Sequence, residues 1–208
     1  IYGGGEAARV FGNTKVDIQA TATDGNGVLN VFGGGNVADV LGDAEVSVTG
    51  GTIGNASPVA DSDYSKARYS GNVFGGSMGR LTMLDGTTRI SLWPKQAVTK
   101  LSNVTISGGT IYNCVYGGGE IGVVRNRATV NVSGTADIRG NVFGGGYGSD
   151  DQDKTTISAG GYDDIYYTFT PMMWTGCVAG DTEVNISGGT IKKSVYGGGN
   201  YASVGLMN

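Results

Sequence analysis

Apolar and polar residues alternate along this chain in short runs. Val46-Ser47-Val48, Val104-Thr105-Ile106, Val130-Asn131-Val132 and Val184-Asn185-Ile186 each set apolar side chains two residues apart. That period predicts strands with one buried face. Glycine turns separate the runs, most clearly Ser107-Gly108-Gly109 and Ser187-Gly188-Gly189, and no stretch sustains a helical spacing. A short Thr-Ile segment follows the turn, as Thr52-Ile53, Thr110-Ile111 or Thr190-Ile191. Next comes the most regular phrase of the chain, V-[F/Y]-G-G-G. It starts at Ile1, Val31, Val115, Val142 and Val195, with an imperfect copy, Val73-Phe74-Gly75-Gly76-Ser77.

A phrase that returns in this way marks one structural unit, repeated and stacked. Units start at positions 1, 31, 73, 115, 142 and 195, so the shortest runs 27 residues. A unit of that size with two or three short strands cannot bury its own apolar face. Stacked on its neighbours, it forms one coil of a β-solenoid. The expected fold is therefore all-β, a single array over residues 1–208 with about five to six coils. Like residues then recur ~4.8 Å apart. Valine and isoleucine are expected to line the interior. Asn30, Asn72 and Asn141, just before the phrase, are expected to form a polar ladder that satisfies backbone groups at a corner. Three glycines in a row are expected to make a corner through positive φ and to permit close approach. Alternation places the rings of Tyr2, Phe32, Phe74, Tyr116, Phe143 and Tyr196 on an external aromatic ladder if the valines face inward. The opposite assignment, with the rings in the core, stays open.

Insertions interrupt the array at about 54–71, 78–101 and 147–176. Repeat proteins carry function on such excursions, because the stacked core tolerates little variation. The last one opens on an acidic run that includes Asp150, Asp151 and Asp153, and continues through Asp163 and Asp164. These offer the hard oxygen ligands that calcium takes. The competing reading is a solvated acidic loop, and no other cofactor is called for. The same insertion holds Tyr162, Tyr166, Tyr167, Phe169 and Trp174, candidate anchors for a glycan or a protein. Their competing role is to cover the side of the stack.

Composition narrows the function. Glycine supplies 40 residues and proline 3, which excludes collagen and argues against helices. The net charge of −4 gives no basic footprint for nucleic acid. No apolar run is long enough for a membrane-spanning helix. With no histidine, the commonest general base and metal ligand is missing. The acids Asp17, Glu45 and Glu183 occupy outward strand positions, and Asp43 and Asp181 turn positions, so they recur because the unit recurs. A catalytic site should break the repeat at one spot, so a non-enzyme is expected. Cys114 and Cys177 fall at different repeat positions, leaving either two free buried thiols or a disulfide made through a loop. Asn55-Ala56-Ser57, Asn103-Val104-Thr105, Asn131-Val132-Ser133 and Asn185-Ile186-Ser187 match the glycosylation pattern, and three of them arise from the strand repeat itself. The chain opens inside one repeat and ends inside another, and is expected to be a piece of a longer protein.

V-[F/Y]-G-G-G alternating with S-G-G-T-I resembles the repeats of large secreted and cell-surface β-helix proteins of gut and oral Bacteroidetes. Gly50-Gly51-Thr52-Ile53, Gly108-Gly109-Thr110-Ile111 and Gly188-Gly189-Thr190-Ile191 are also similar to the G-G-A-I motif of polymorphic outer-membrane autotransporter adhesins. Threonine replaces alanine here, and the F-x-x-N partner motif of that family is not in register. The first resemblance spans nearly the whole chain. It implies a right-handed parallel β-helix, an extracellular or cell-surface location and adhesive or structural use, and carries over no catalytic residue. The expected function is a structural or adhesive surface module whose side loops contact glycan or a host or bacterial surface protein. The alternatives are a filament subunit without ligand, made of copies of the chain, and a carbohydrate-active enzyme, a polysaccharide lyase or hydrolase.

Overall fold

The computed structural model describes residues 1–21, 27–55, 70–80, 82–85, 88–91, 97–148 and 175–205. Among these it is all-β, without a helix. Strands are numbered here in chain order. The alternating runs build the longest sheet from β1 (Thr14–Ile18), β3 (Val40–Val48), β8 (Val98–Ile106), β12 (Ala128–Val132) and β15 (Thr182–Ile186), with β11 (Val123–Val124) beside β8. The V-[F/Y]-G-G-G phrases build a second sheet from β2 (Asn30–Phe32), β5 (Asn72–Phe74), β10 (Val115–Tyr116), β14 (Val142–Phe143) and β17 (Val195–Tyr196). The Thr-Ile segments build a third from β4 (Thr52–Ile53), β9 (Thr110–Ile111), β13 (Asp137–Ile138) and β16 (Thr190–Ile191). Within all three, every pairing is parallel and joins one unit to the next.

The pairing keeps equivalent residues opposite one another. Val31, Val73, Val115, Val142 and Val195 form one column. Val16, Val46, Val104, Val130 and Val184 form another. Ile53, Ile111, Ile138 and Ile191 form a third. Members of all three columns meet in one core, where Val31, Val73, Val104, Ile111 and Ile138 are 0% exposed. Burial of such a side chain contributes ~1.5–3 kcal/mol. This shared core holds the three sheets together, and their outward residues are left free to vary.

Of the two roles expected for the glycine phrase, close approach holds and positive φ does not. None of its glycines has positive φ. Left-handed backbone occurs instead at the G-G-T turn, with φ of 80° at Gly51 and Gly109 and 82° at Gly189. The phrase is glycine-rich because successive units approach too closely for a Cβ. A methyl group on Gly33 would strike the carbonyl oxygen of Gly75, one on Gly75 that of Gly117, and one on Gly117 that of Gly144. A methyl group on the second glycine meets the next backbone likewise at Gly118, where it would lie 2.6 Å from the amide nitrogen of Gly146. At the imperfect copy, the Ser77 hydroxyl makes two polar contacts. It accepts from the Gly35 amide at 3.1 Å and pairs with the Thr99 hydroxyl at 3.1 Å.

The polar residue before the phrase caps a corner. The Asn30 side-chain oxygen accepts from the Asn72 amide at 3.0 Å, and that of Asn72 accepts from the Cys114 amide at 3.2 Å. The Cys114 sulfur takes the next place and accepts from the Asn141 amide at 3.3 Å. Asn141 then serves Ser194 at 3.0 Å. Cys114 and Cys177 are both free and buried.

The insertions are narrower than the sequence suggested. Residues 98–101 belong to β8, so the strand begins earlier than expected. Gly54, Gly71, Met78, Tyr147, Gly148 and Gly176 all donate backbone bonds to the neighbouring unit and belong to the stack. In the excursion after Met78, β6 (Thr82–Asp85) and β7 (Thr88–Ser91) form an antiparallel hairpin, which the strand pattern did not reveal.

Candidate functional site

Alternation turns one set of side chains on the long sheet away from the core. Register aligns Lys15, Glu45, Asn103, Thr129 and Glu183 in one outward column. Asp17, Ser47, Thr105, Asn131 and Asn185 align in the next. The pairing of β3 with β8 shifts register between Val40 and Asp43, and the strand is locally irregular there. Such a bulge bends and twists a strand. Next to it lies a groove of about 620 Å³, lined by Asn13, Lys15, Asp43, Glu45, Leu101, Asn103, Arg127, Thr129 and Asn131, with Thr14, Ala44 and Ser102 behind them. Four successive units contribute to it, through β1, β3, β8, β12 and the residues just before them. A smaller depression of about 230 Å³ is lined by Val40, Leu41, Val98, Lys100, Arg125 and Asn126.

The charges in and around the groove are matched. Lys15 lies 3.3 Å from Glu45 and 3.7 Å from Asp17. The Glu45 hydrogen bond and the Asp17 charge hold the Lys15 ammonium above the usual lysine value. Lys100 lies 3.2 Å from Asp43, and Arg127 3.8 Å from Asp181. Exposed pairs of this kind add little stability, ~0–1 kcal/mol each. Their consequence is a polar surface with little net field. Amides continue the pattern: Asn131 donates to Asn103 at 3.1 Å, and Asn185 donates to Asn131 at 3.1 Å. These three asparagines belong to the glycosylation-like triplets, and their side chains form a ladder across units. Asp43, expected in a turn, lies inside β3.

The six predicted aromatic residues form one stack. Ring centroids are 4.8 to 5.0 Å apart from Tyr2 through Phe32, Phe74, Tyr116 and Phe143 to Tyr196, with interplanar angles of 10° or less. The four interior rings sit apart from the valine core, in their own cluster with Cys114, Met78 and Tyr147. The interior rings are not a half-exposed edge, however. Phe32, Phe74 and Tyr116 are each 3% exposed and Phe143 4%, while Tyr2 and Tyr196 are open. Met78 and Tyr147, which follow the glycine phrase, pack over them, and Tyr147 meets Tyr116 edge-on at 5.8 Å. Burial raises the Tyr116 phenol well above its ordinary value, and the neighbouring Cys114 adds to this. Burial also pushes the Cys177 thiol up to about 11. A covered stack of this kind is packing material, so its interior members present no platform to a ligand.

The candidate loop anchors Tyr162, Tyr166, Tyr167, Phe169 and Trp174 lie outside the described residues, as do the candidate calcium ligands Asp150, Asp151 and Asp153 with Asp163 and Asp164. Among the described residues, no helix is long and apolar enough to cross a membrane. The groove residues Lys15, Glu45, Asn103, Arg127, Thr129 and Asn131 were not singled out as a site by sequence reasoning. Their signal was present in the outward positions of the aligned strands, but only the register brings residues 13 to 131 onto one surface.

Comparison with protein-family models finds no match. Searches of curated proteins and of solved structures find none either.

Proposed function

We propose that this chain is a right-handed parallel β-helix segment of an extracellular or cell-surface protein, with a structural and adhesive role. Each unit makes one coil, passing from the glycine-phrase sheet to the long sheet and then to the Thr-Ile sheet. The insertions and outward faces contact glycan or a surface protein. The observation that carries this reading is the in-register parallel pairing of equivalent residues in all three sheets, around one shared core. Such a scaffold repeats its inner columns from unit to unit while its outward residues change. The resemblance of the repeat grammar to secreted and cell-surface β-helix proteins supports the location and the adhesive role. The ion pairing of Glu45, Asp43 and Asp181 supports a structural role for the repeated acids over paired catalytic carboxylates.

The test is retention with a product assay. Purified chain is passed over immobilised polysaccharides and over surfaces coated with host or bacterial surface proteins, and the eluates are scanned for released oligosaccharide. The reading expects retention on at least one surface with no product. Sustained product release, or passage through every surface, would sink it.

A further inference from the structure

We propose that the groove on the outer face of the long sheet is a binding site for an extended, neutral polysaccharide lying along the stacking direction. This rests on the glycan-contacting role proposed above and assigns it to a sheet face in place of the loops. Three features favour that ligand. The first is shape. The groove is about 620 Å³ and is built by four successive units, within the range of ligand sites. Four strands span roughly 14 Å at about 4.8 Å per step, enough for a short run of sugar rings in an extended chain.

The second is charge. The lining holds Lys15 and Arg127 against Asp43 and Glu45, and Lys15 and Glu45 pair with each other at 3.3 Å. The sum is zero, so nothing in the groove favours a polyanion or a polycation. The third is hydrogen-bonding character. The Asn103 and Asn131 amides both donate and accept, Thr129 adds a hydroxyl, and charged donors and acceptors lie beside them. A ligand that meets such a mixture must itself donate and accept at each step, which is the property of a sugar hydroxyl. A neutral polysaccharide presents such hydroxyls at every ring along a regular chain.

Affinity electrophoresis and calorimetry with hydroxyethyl cellulose, xylan and galactomannan, set against heparin and polygalacturonate, test the proposal. Three variants are compared with the unaltered chain: Asn103→Ala with Arg127→Ala, Thr129→Trp to fill the groove, and Tyr166→Ala with Tyr167→Ala in the insertion. Each is first checked for an unchanged far-ultraviolet spectrum, and the first carries the test if Thr129→Trp does not fold. The proposal expects binding of at least one neutral polysaccharide, weakened roughly tenfold, or ~1.4 kcal/mol, by both groove variants and unchanged in the insertion variant. Four results would overturn it. Loss only in the insertion variant would place the glycan on the loops and leave the adhesive role intact. Tighter, salt-sensitive binding of the polyanions would refute the ligand class. Retention on protein-coated surfaces without polysaccharide binding would remove the groove while keeping adhesion, whereas no retention anywhere would remove both.

Discussion

Alanine at Gly117 and alanine at Gly197 are the same chemical change at the same place in the repeated phrase, yet their surroundings differ. A Cβ on Gly117 would strike the Gly144 carbonyl oxygen and would lie 3.1 Å from both the Gly144 carbonyl carbon and the Val130 Cγ2. That carbonyl belongs to the backbone of the next unit, whose own position is fixed by the hydrogen bond that the Gly117 N–H donates to the Phe143 carbonyl oxygen at 2.9 Å. Relief therefore requires the two units to move apart. Overpacking typically costs about 1–3 kcal/mol, and a clash with backbone, which cannot swing aside, belongs at the upper end of that range. Alanine also restricts the unfolded chain, which returns ~0.4–1 kcal/mol, so the net loss is about 2 kcal/mol. At Gly197 a Cβ meets nothing within 4 Å, and φ is not positive. Only the unfolded-state gain of ~0.4–1 kcal/mol remains there. Urea unfolding of the 208-residue chain, followed by far-ultraviolet circular dichroism, reads the difference. With a slope of about 2 kcal/mol/M, the midpoint should fall by roughly 1 M for Gly117→Ala and rise slightly for Gly197→Ala. Equal losses at both sites would refute the steric explanation and return the glycines to a conformational role.

Other substitutions follow from the same packing. Phe74→Ala removes a ring stacked at 4.8 Å on both sides and 3% exposed, and should cost about 3–5 kcal/mol in the same assay. Tyr196→Ala, at an open end of the stack and 47% exposed, should cost far less. Asn72→Ala takes away the acceptor for the buried Cys114 amide and should cost about 1–3 kcal/mol. A thermal melt unchanged by it would refute the corner ladder. Cys177 has its folded value raised above the usual 9.0 to about 11. The unfolded chain then releases its proton first, so this contribution is full below pH ~9 and is lost as pH rises towards ~11. Stability profiles of the chain and of Cys177→Ala should diverge in that window and nowhere below it.

The columns of the core were legible because β structure writes burial into a period of two. Val46-Ser47-Val48 and Val130-Asn131-Val132 read as strands on sight, and the repeated phrase gave the register. Close approach was rightly expected of the glycine phrase, and positive φ wrongly, because composition cannot separate the two reasons for a glycine. A left-handed residue such as Gly109 and a contact-limited one such as Gly117 look alike in a sequence. The exposure of the aromatic stack was misjudged for a related reason. Alternation says which face Phe74 takes, while its cover, Met78 and Tyr147, comes from residues beyond the alternating segment. The hairpin of β6 and β7 was missed because it stands outside the repeat. The groove was not legible because it unites residues from 13 to 131 that only the register brings together, at outward positions that vary from unit to unit.

The central claim is that each unit, whatever its length, advances the stack by one strand spacing. Nitroxide pairs on outward positions of one column measure this directly. Asp17 aligns through Ser47 with Thr105, Asn131 and Asn185. Backbone separations from residue 17 should be roughly 10, 14 and 19 Å to residues 105, 131 and 185, which is two, three and four steps of about 4.8 Å. Electron–electron distance measurements that rise by one equal step per unit would agree with the account. Distances that follow the unequal sequence separations, or that show no gradation along the column, would contradict it.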